Sequence, residues 1–206
     1  MRHPLGVVDV VYGMGDPVGA ARAALEDGFA HIDVMLGIDP ATLALPVGCP
    51  TAFPKPQPQW CATPAPADGP GAWERAVRWW RDAPGALLEP WAGACVNSLE
   101  RVRSFRDEVP GLRLLVDTGH VADWGEDPCA LLEYADHVQL RQGKPGATQV
   151  HVDDPTGVVD FAAVFDRLDA VGYRGRVSVE YFDLPQWGWP LPDPRAWACD
   201  LRAALQ

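Results

Sequence analysis

Positive charge is scarce in this 206-residue chain: it holds only two lysines, and 28 acidic residues stand against 17 basic ones, for a formal charge of −11. Binding to nucleic acid needs clustered Lys and Arg to neutralise phosphates, so this balance argues against nucleic acid as a partner. A small polar substrate fits better. The five cysteines, at 49, 61, 95, 129 and 199, include no C-x-x-C pair, which leaves neither a disulfide framework nor a thiolate zinc site. No apolar run approaches the ~18 residues that cross a bilayer. The start MRHPLGVVDVVYG lacks a signal-peptide layout, because its charge is followed by a short apolar run and then Gly and Asp. The expectation is a cytoplasmic protein with no membrane partner.

What is present is an ordinary globular composition, 48% apolar and 22% charged, in a length suited to one domain over residues 1–206. Strand and helix patterns alternate. LGVVDVVYG (5–13) reads as a strand, PVGAARAALEDG (17–28) as a helix ending at Gly28, and FAHIDVML (29–36) as a strand. Helices are predicted over 71–85, 97–111, 160–173 and 193–205, the second opened by a capping box at Asn97 and Glu100. Strands are predicted over 86–93, 112–120, 136–142 and 175–183. Such alternation gives βα units and a parallel sheet.

Residues 37–70 break the pattern. Nine prolines from Pro40 to Pro70 exclude a continuous helix, although Val47–Phe53 and Trp60–Thr63 could still pair as strands. A (β/α)8 barrel usually needs about 250 residues. If the fold is such a barrel, one or two helices are missing, and this stretch is where. A wall without its helix would expose apolar strand surface that a second copy of the chain could cover, with WERAVRWW and FDLPQWGWPLP contributing or closing over the substrate.

Four strands end alike, in apolar residues followed by a carboxylate: Asp33, Glu89, Asp117 and Glu180. Parallel strands buried on both faces should read as apolar runs, so each carboxylate is costly unless paired or metal-bound. Strand ends converge where ligands bind in barrels and doubly wound sheets. Each has a plainer reading as well: Asp117, before Thr-Gly, could simply cap a turn, and Glu89 could be a half-exposed strand end. In ADHVQLRQGKPG (135–146), His137, Gln139 and Arg141 share one face of a strand.

These motifs, L-E-P, L-x-V-D-T-G-H, H-V-Q-L-R, G-V-V-D-F, G-Y-x-G and V-E-Y over residues 86–183, resemble the xylose isomerase-like TIM-barrel family of sugar isomerases and epimerases, dehydratases and AP endonucleases. The resemblance is weaker over 5–36 and fails over 37–70. It implies a (β/α)8 barrel shortened in its N-terminal half, with a divalent cation held by Glu89, Asp117, Gln139 and Glu180, Gln139 standing where the family has His. His137 lies roughly 6.6 Å deeper along the strand and reads as a core histidine. Three carboxylates and an amide oxygen suit Mn²⁺ or Mg²⁺ rather than Zn²⁺.

The resemblance further implies proton abstraction next to a carbonyl, with Glu89 and Glu180 as acid and base and His120 beside the substrate or metal. We assign Arg141, Asp33 and Trp124 to substrate contacts, Arg141 one inward position beyond Gln139 and nearer the mouth, where its fork suits a carboxylate, phosphate or hydroxyl pair; a loop cap for His120 and a surface ion pair for Arg141 are the plainer alternatives. The leading expectation is a metal-dependent isomerase or epimerase of a small polyhydroxylated carbonyl compound. A dehydratase of the 3-dehydroshikimate or inosose type comes second. A catalytically weakened accessory barrel comes third.

Overall fold

The computed structural model describes residues 3–206, apart from the side chain of Trp187, so the first two residues of MRHPLGVVDVVYG and one tryptophan side chain of FDLPQWGWPLP lie outside it. Eight parallel strands close into a barrel: β1 (Leu5–Val8), β2 (Ile32–Met35), β3 (Val47–Thr51), β4 (Cys61–Pro64), β5 (Ala86–Glu89), β6 (Leu114–Asp117), β7 (Ala135–Leu140) and, after an inserted hairpin of β8 (Gln142–Lys144) and β9 (Ala147–Val150), β10 (Arg176–Val179). β10 pairs with β1 to close the ring. Helices α1 (Pro17–Glu26), α2 (Ala72–Asp82), α3 (Leu99–Glu108), α4 (Thr118–Asp123), α5 (Phe161–Ala170) and α6 (Pro194–Ala204) supply the outer layer. No helix of the described residues is long and apolar enough to cross a membrane.

Local chemistry sets most boundaries. Asp16, Asp160 and Asp193 cap α1, α5 and α6 by accepting from the backbone N–H three residues on, and Pro17 and Pro194 occupy first-turn positions whose N–H needs no partner. Gly28, at φ +81°, takes the left-handed turn that follows α1. α3 is capped by Ser98 rather than Asn97: the Ser98 hydroxyl accepts from Arg101 N at 3.1 Å, which shifts the helix start by one residue and removes Glu100 from the capping-box position. The predicted strand 112–120 stops at Asp117, where the chain turns directly into α4. The predicted strand 5–13 likewise stops at Val8 and continues as a 3₁₀ turn.

Two helices are absent, between β2 and β3 and between β3 and β4. The proline-rich chain lies against the bare wall instead, through Leu45 (buried) and Leu36, Ile38 and Leu43 (partly buried), while Phe53 and Trp60 stay exposed at 63% and 44%. WERAVRWW is turned inward: Trp73 and Trp80 pack edge-on against Phe105 of α3.

Alternation divides the strands into two faces. Leu88, Val116, Val138, Leu140, Val177 and Val179 belong to the core between barrel and helices. The intervening residues fill the barrel. On one side of its interior lies an apolar quartet, Cys49, Ala62, Leu87 and Leu115. Opposite are His31, Asp33, His137 and Ser178, all buried, with Leu115 and His137 in register. Room for the larger polar side chains comes from glycine: a Cβ on Gly6 would overlap the His31 ring, and one on Gly48 would overlap Asp33.

Candidate active site

The site grows from four consecutive residues, Asp117-Thr118-Gly119-His120, at the join of β6 and α4. Asp117 does cap the helix, its Oδ1 accepting from His120 N at 3.0 Å. The same oxygen accepts from Arg141 Nε at 3.0 Å, and Arg141 Nη2 lies 2.8 Å from Asp117 Oδ2. Thr118 grips the Arg141 backbone twice, donating to its carbonyl at 2.8 Å and accepting from its N–H at 3.0 Å. A Cβ on Gly119 would overlap the Arg141 side-chain stem and the carbonyl of Thr148, so only glycine leaves space for both. His120 Nε2 lies 3.1 Å from Arg141 Nη2. Arginine only donates, so Nε2 accepts and Nδ1 carries the proton of the neutral ring.

Arg141 is therefore placed differently from the expectation. It is fully buried, not at the mouth: Nη2 also reaches Glu180 Oε2 at 2.8 Å, and the guanidinium carbon stands 4.5 Å from the centre of the Phe182 ring. The physical reason is charge: a guanidinium turned outward would leave three buried carboxylates without a counter-ion. Glu89 completes the group, its Oε1 3.8 Å from His120 Nε2. Trp91 and Trp189 place their rings against His120, at centroid distances of 6.5 and 6.1 Å, and Phe182 packs on Trp189 at 5.2 Å. Phe182 and Trp189 belong to FDLPQWGWPLP, the segment expected to contribute to a dimer or close over the substrate, whereas Trp91, Thr118 and Gly119 were missed as site residues; the Thr-Gly pair inside D-T-G-H was the available signal.

Electrostatics follow the geometry. Burial, reinforced by Asp117 and only partly offset by Arg141, pushes the Glu89 carboxyl up to about 8. Burial likewise raises Glu180 well above the carboxylate range, with Arg141 opposing and Asp117 and Glu89 assisting. Burial would raise Asp117 too, but Arg141, His120 and Glu180 together outweigh it and hold that carboxyl low. His120, buried and beside Arg141, falls to about 3. The cluster thus sets an Asp117–Arg141 pair beside two glutamates whose carboxyls burial raises.

Of the expected site residues, Glu89, Asp117, His120, Gln139, Arg141 and Glu180 are brought together in this part of the barrel. Gln139 is the register partner of Asp117, and its Oε1 is buried with no partner among the described residues. Asp33 is not brought to them: it is deep in the barrel, with Oδ2 2.6 Å from His137 Nε2 and Oδ1 accepting from Cys49 N at 2.7 Å, so protein groups already engage both oxygens. Trp124 is half-buried on the core side of α4's end, and the tryptophans against His120 are Trp91 and Trp189. A cavity of about 510 Å³, lined by Tyr12, Met14, Asp16 and Arg195 among others, shares Phe182 with the site but none of its carboxylates.

Glu89, Asp117 and His120 each offer a ligand atom, all within 4.8 Å of one another, so a metal-capable group exists. The full four-residue set does not fit an ion while Arg141 is in place. Its Nη2 stands at 2.8 Å from both Asp117 Oδ2 and Glu180 Oε2. A charge about 4 Å from a guanidinium is repelled by about 4 kcal/mol for each unit it carries at a near-surface dielectric, and a divalent ion carries two.

Comparison with known proteins agrees with the architecture. The chain superposes on an L-ribulose 3-epimerase with a TM-score of 0.70 at 17% identity, covering 98% of this chain and 92% of that one. A 3-keto-D-glucoside 4-epimerase from E. coli gives 0.71 at 15%, covering 98% of both chains. A D-allulose 3-epimerase from Methylomonas sp., solved with D-allulose, gives 0.68 at 18%, covering 99% and 97%. No curated protein matches the chain in sequence. The sequence pattern of the xylose isomerase-like TIM barrel spans residues 53–204, most of the chain, and the protein belongs to that family.

Proposed function

We propose that the protein is an isomerase or epimerase that moves a proton at a carbon next to the carbonyl of a small, sugar- or cyclitol-like substrate. The observation that carries this reading is the pair Glu89 and Glu180, buried carboxyls at the end of β5 and just past the end of β10, strands separated by β6 and β7, flanking the Asp117–Arg141 ion pair. One glutamate, as carboxylate, removes the proton, and the C–H electron pair passes into a C=C bond as the carbonyl becomes an enediolate. The other glutamate, as acid, returns a proton to the opposite face or to the neighbouring carbon. His120 Nδ1–H and Gln139 Oε1, both buried and unpartnered, suit a substrate oxygen and a substrate hydroxyl. The enzymes of known structure that act on ribulose, allulose and a keto-glucoside support the substrate class.

Mn²⁺ or Mg²⁺, which the family resemblance implies, would be held by Glu89, Asp117, Gln139 and Glu180 only with Arg141 withdrawn, and no step above depends on it. A dehydratase would begin with the same proton removal and then expel hydroxide, protonated by the second glutamate, as water. The test is to incubate the protein in D₂O with a panel of ketoses, inososes and dehydroshikimate and follow the substrates by NMR. Deuterium wash-in without loss of water is expected. Loss of water points to the dehydratase, and no exchange with any compound removes both readings in favour of an accessory barrel. The reading includes a homodimer covering Phe53 and Trp60; sedimentation as a strict monomer at high concentration would remove that part.

A further inference from the structure

We infer that the guanidinium of Arg141 is the resident cation of this site, standing among the strand-end carboxylates where a divalent ion would stand and keeping one nitrogen, Nη1, free for a substrate oxygen. The second half rests on the isomerase reading; the first does not. Position is the first argument. Nε and Nη2 engage both oxygens of Asp117 at 3.0 and 2.8 Å, and Nη2 also lies 2.8 Å from Glu180 Oε2 and 3.1 Å from His120 Nε2. A single nitrogen thus faces three side chains that converge from β6, α4 and the end of β10.

Construction is the second argument, because an arginine that merely drifted into a carboxylate cluster would need no housing. This one has its backbone clamped by Thr118 through two hydrogen bonds. Its stem runs through the space where Gly119 lacks a side chain. Its plane is backed by Phe182 at 4.5 Å, and no part of it reaches solvent. The D-T-G-H sequence thus acts residue by residue as a cradle: Asp117 for charge, Thr118 for the backbone, Gly119 for room, His120 as an acceptor.

The third argument is what the cradle leaves over. Nη1 is buried and has no hydrogen-bond partner among the described residues, and the same holds for Gln139 Oε1. Buried donors and acceptors are costly to leave unmade. A compound with adjacent carbonyl and hydroxyl groups offers the complementary pair, an oxygen for Nη1 and a proton for Oε1. When the base removes the α-proton, the carbonyl oxygen gains negative charge, and Nη1–H stabilises it as an ion would, while Arg141 stays protonated throughout. No other co-reactant is needed.

The experiment is a Mn²⁺ titration of chelator-treated protein, with free Mn²⁺ read by electron paramagnetic resonance, which requires no substrate. Wild type is expected to leave the free-ion signal unchanged into the millimolar range. Arg141→Met, which opens the carboxylates, is expected to bind Mn²⁺ at least about a hundredfold more tightly. Stoichiometric, tight Mn²⁺ binding by wild type would overturn the inference, and so would a folded Arg141→Met protein that takes up none. Should Arg141→Met not fold, Arg141→Lys replaces it: it keeps the charge and must still exclude Mn²⁺, and uptake by a folded R141K protein counts against the inference. With a substrate from the exchange panel, metal-free wild type should keep its full rate and gain nothing from added Mn²⁺; a rate restored only by Mn²⁺ overturns the role given to Nη1. Absence of exchange under every condition, with Mn²⁺ still excluded, defeats the isomerase reading and leaves the resident cation standing.

Discussion

His137 Nε2 lies 2.6 Å from Asp33 Oδ2, and neither side chain has any solvent exposure. Burial alone would raise the Asp33 carboxyl, but His137, with help from His31 and the Cys49 N–H, holds it low. The pair closes one side of the barrel floor beneath the candidate site. Removing one partner leaves an uncompensated charge in a medium that cannot hydrate it, at a cost of about 3–5 kcal/mol. His137→Leu should therefore lower the unfolding free energy by about that much in urea titrations, and Asp33→Leu/His137→Leu should lose less than the two single changes summed. A His137→Leu protein as stable as wild type would show that the pair contributes nothing.

His31, in the same sense as His120, whose pKa is also depressed, contributes to the pH dependence of folding. It is buried against Gly6 and Gly48, 3.1 Å from Ser178 Oγ, and faces Asp33, Arg176 and His137. Burial, with Arg176 adding to it and Asp33 opposing, drops its pKa to about 4 from 6.5. Above pH 6.5 both folded and unfolded forms are neutral. As pH falls from 6.5 towards 4, only the unfolded form takes the proton, so stability declines across that window, by roughly 3 kcal/mol in full. Glu89, Glu180 and Asp9, whose carboxyls are raised, act in the opposite sense. The His31 contribution is thus read as the difference between wild type and His31→Gln in chemical denaturation at pH 7 and pH 4.5, and an unchanged difference would refute it.

Gly119 has no tolerance for a side chain. In Gly119→Ala the new methyl would meet the Thr148 carbonyl and the Arg141 stem, so either the β8–β9 hairpin or the arginine must move. The expected cost is about 1–3 kcal/mol of stability, as for overpacking elsewhere, with exchange activity falling further than stability does. An alanine variant with wild-type stability and activity would mean that Arg141 does not need its present path.

Glu89→Gln and Glu180→Gln keep shape and hydrogen-bonding capacity but cannot carry a proton. Each should reduce exchange by at least about a hundredfold, in line with the contribution of a positioned acid or base, while the circular dichroism spectrum and melting temperature stay near wild type. Retained exchange in either variant assigns that glutamate to binding alone.

Much of the fold was legible because its signals are short-ranged. Helical periodicity, a glycine stop at Gly28 and apolar runs ending in Asp or Glu each act within a few residues, and they placed α1, α5, α6 and the carboxylates at the ends of β5, β6 and β10 close to where they stand. The same reasoning erred where two local signals competed, as at Asn97 and Ser98, or where an apolar run continued through a change of structure, as from β6 into α4.

The residue types at the site were also set by the sequence: three carboxylates, an amide, an imidazole and a guanidinium, each near a strand end. What the sequence could not determine was which way Arg141 points. Strand alternation fixes only the face, and a long side chain on that face can reach outward or fold inward. The choice was made by Gly119, Phe182 and Asp117, which lie 22, 41 and 24 residues away in the chain and meet Arg141 only once the barrel closes. Burial then made the inward position the stable one, because buried carboxylates need a positive charge where water cannot supply compensation, and the fold placed that charge from within.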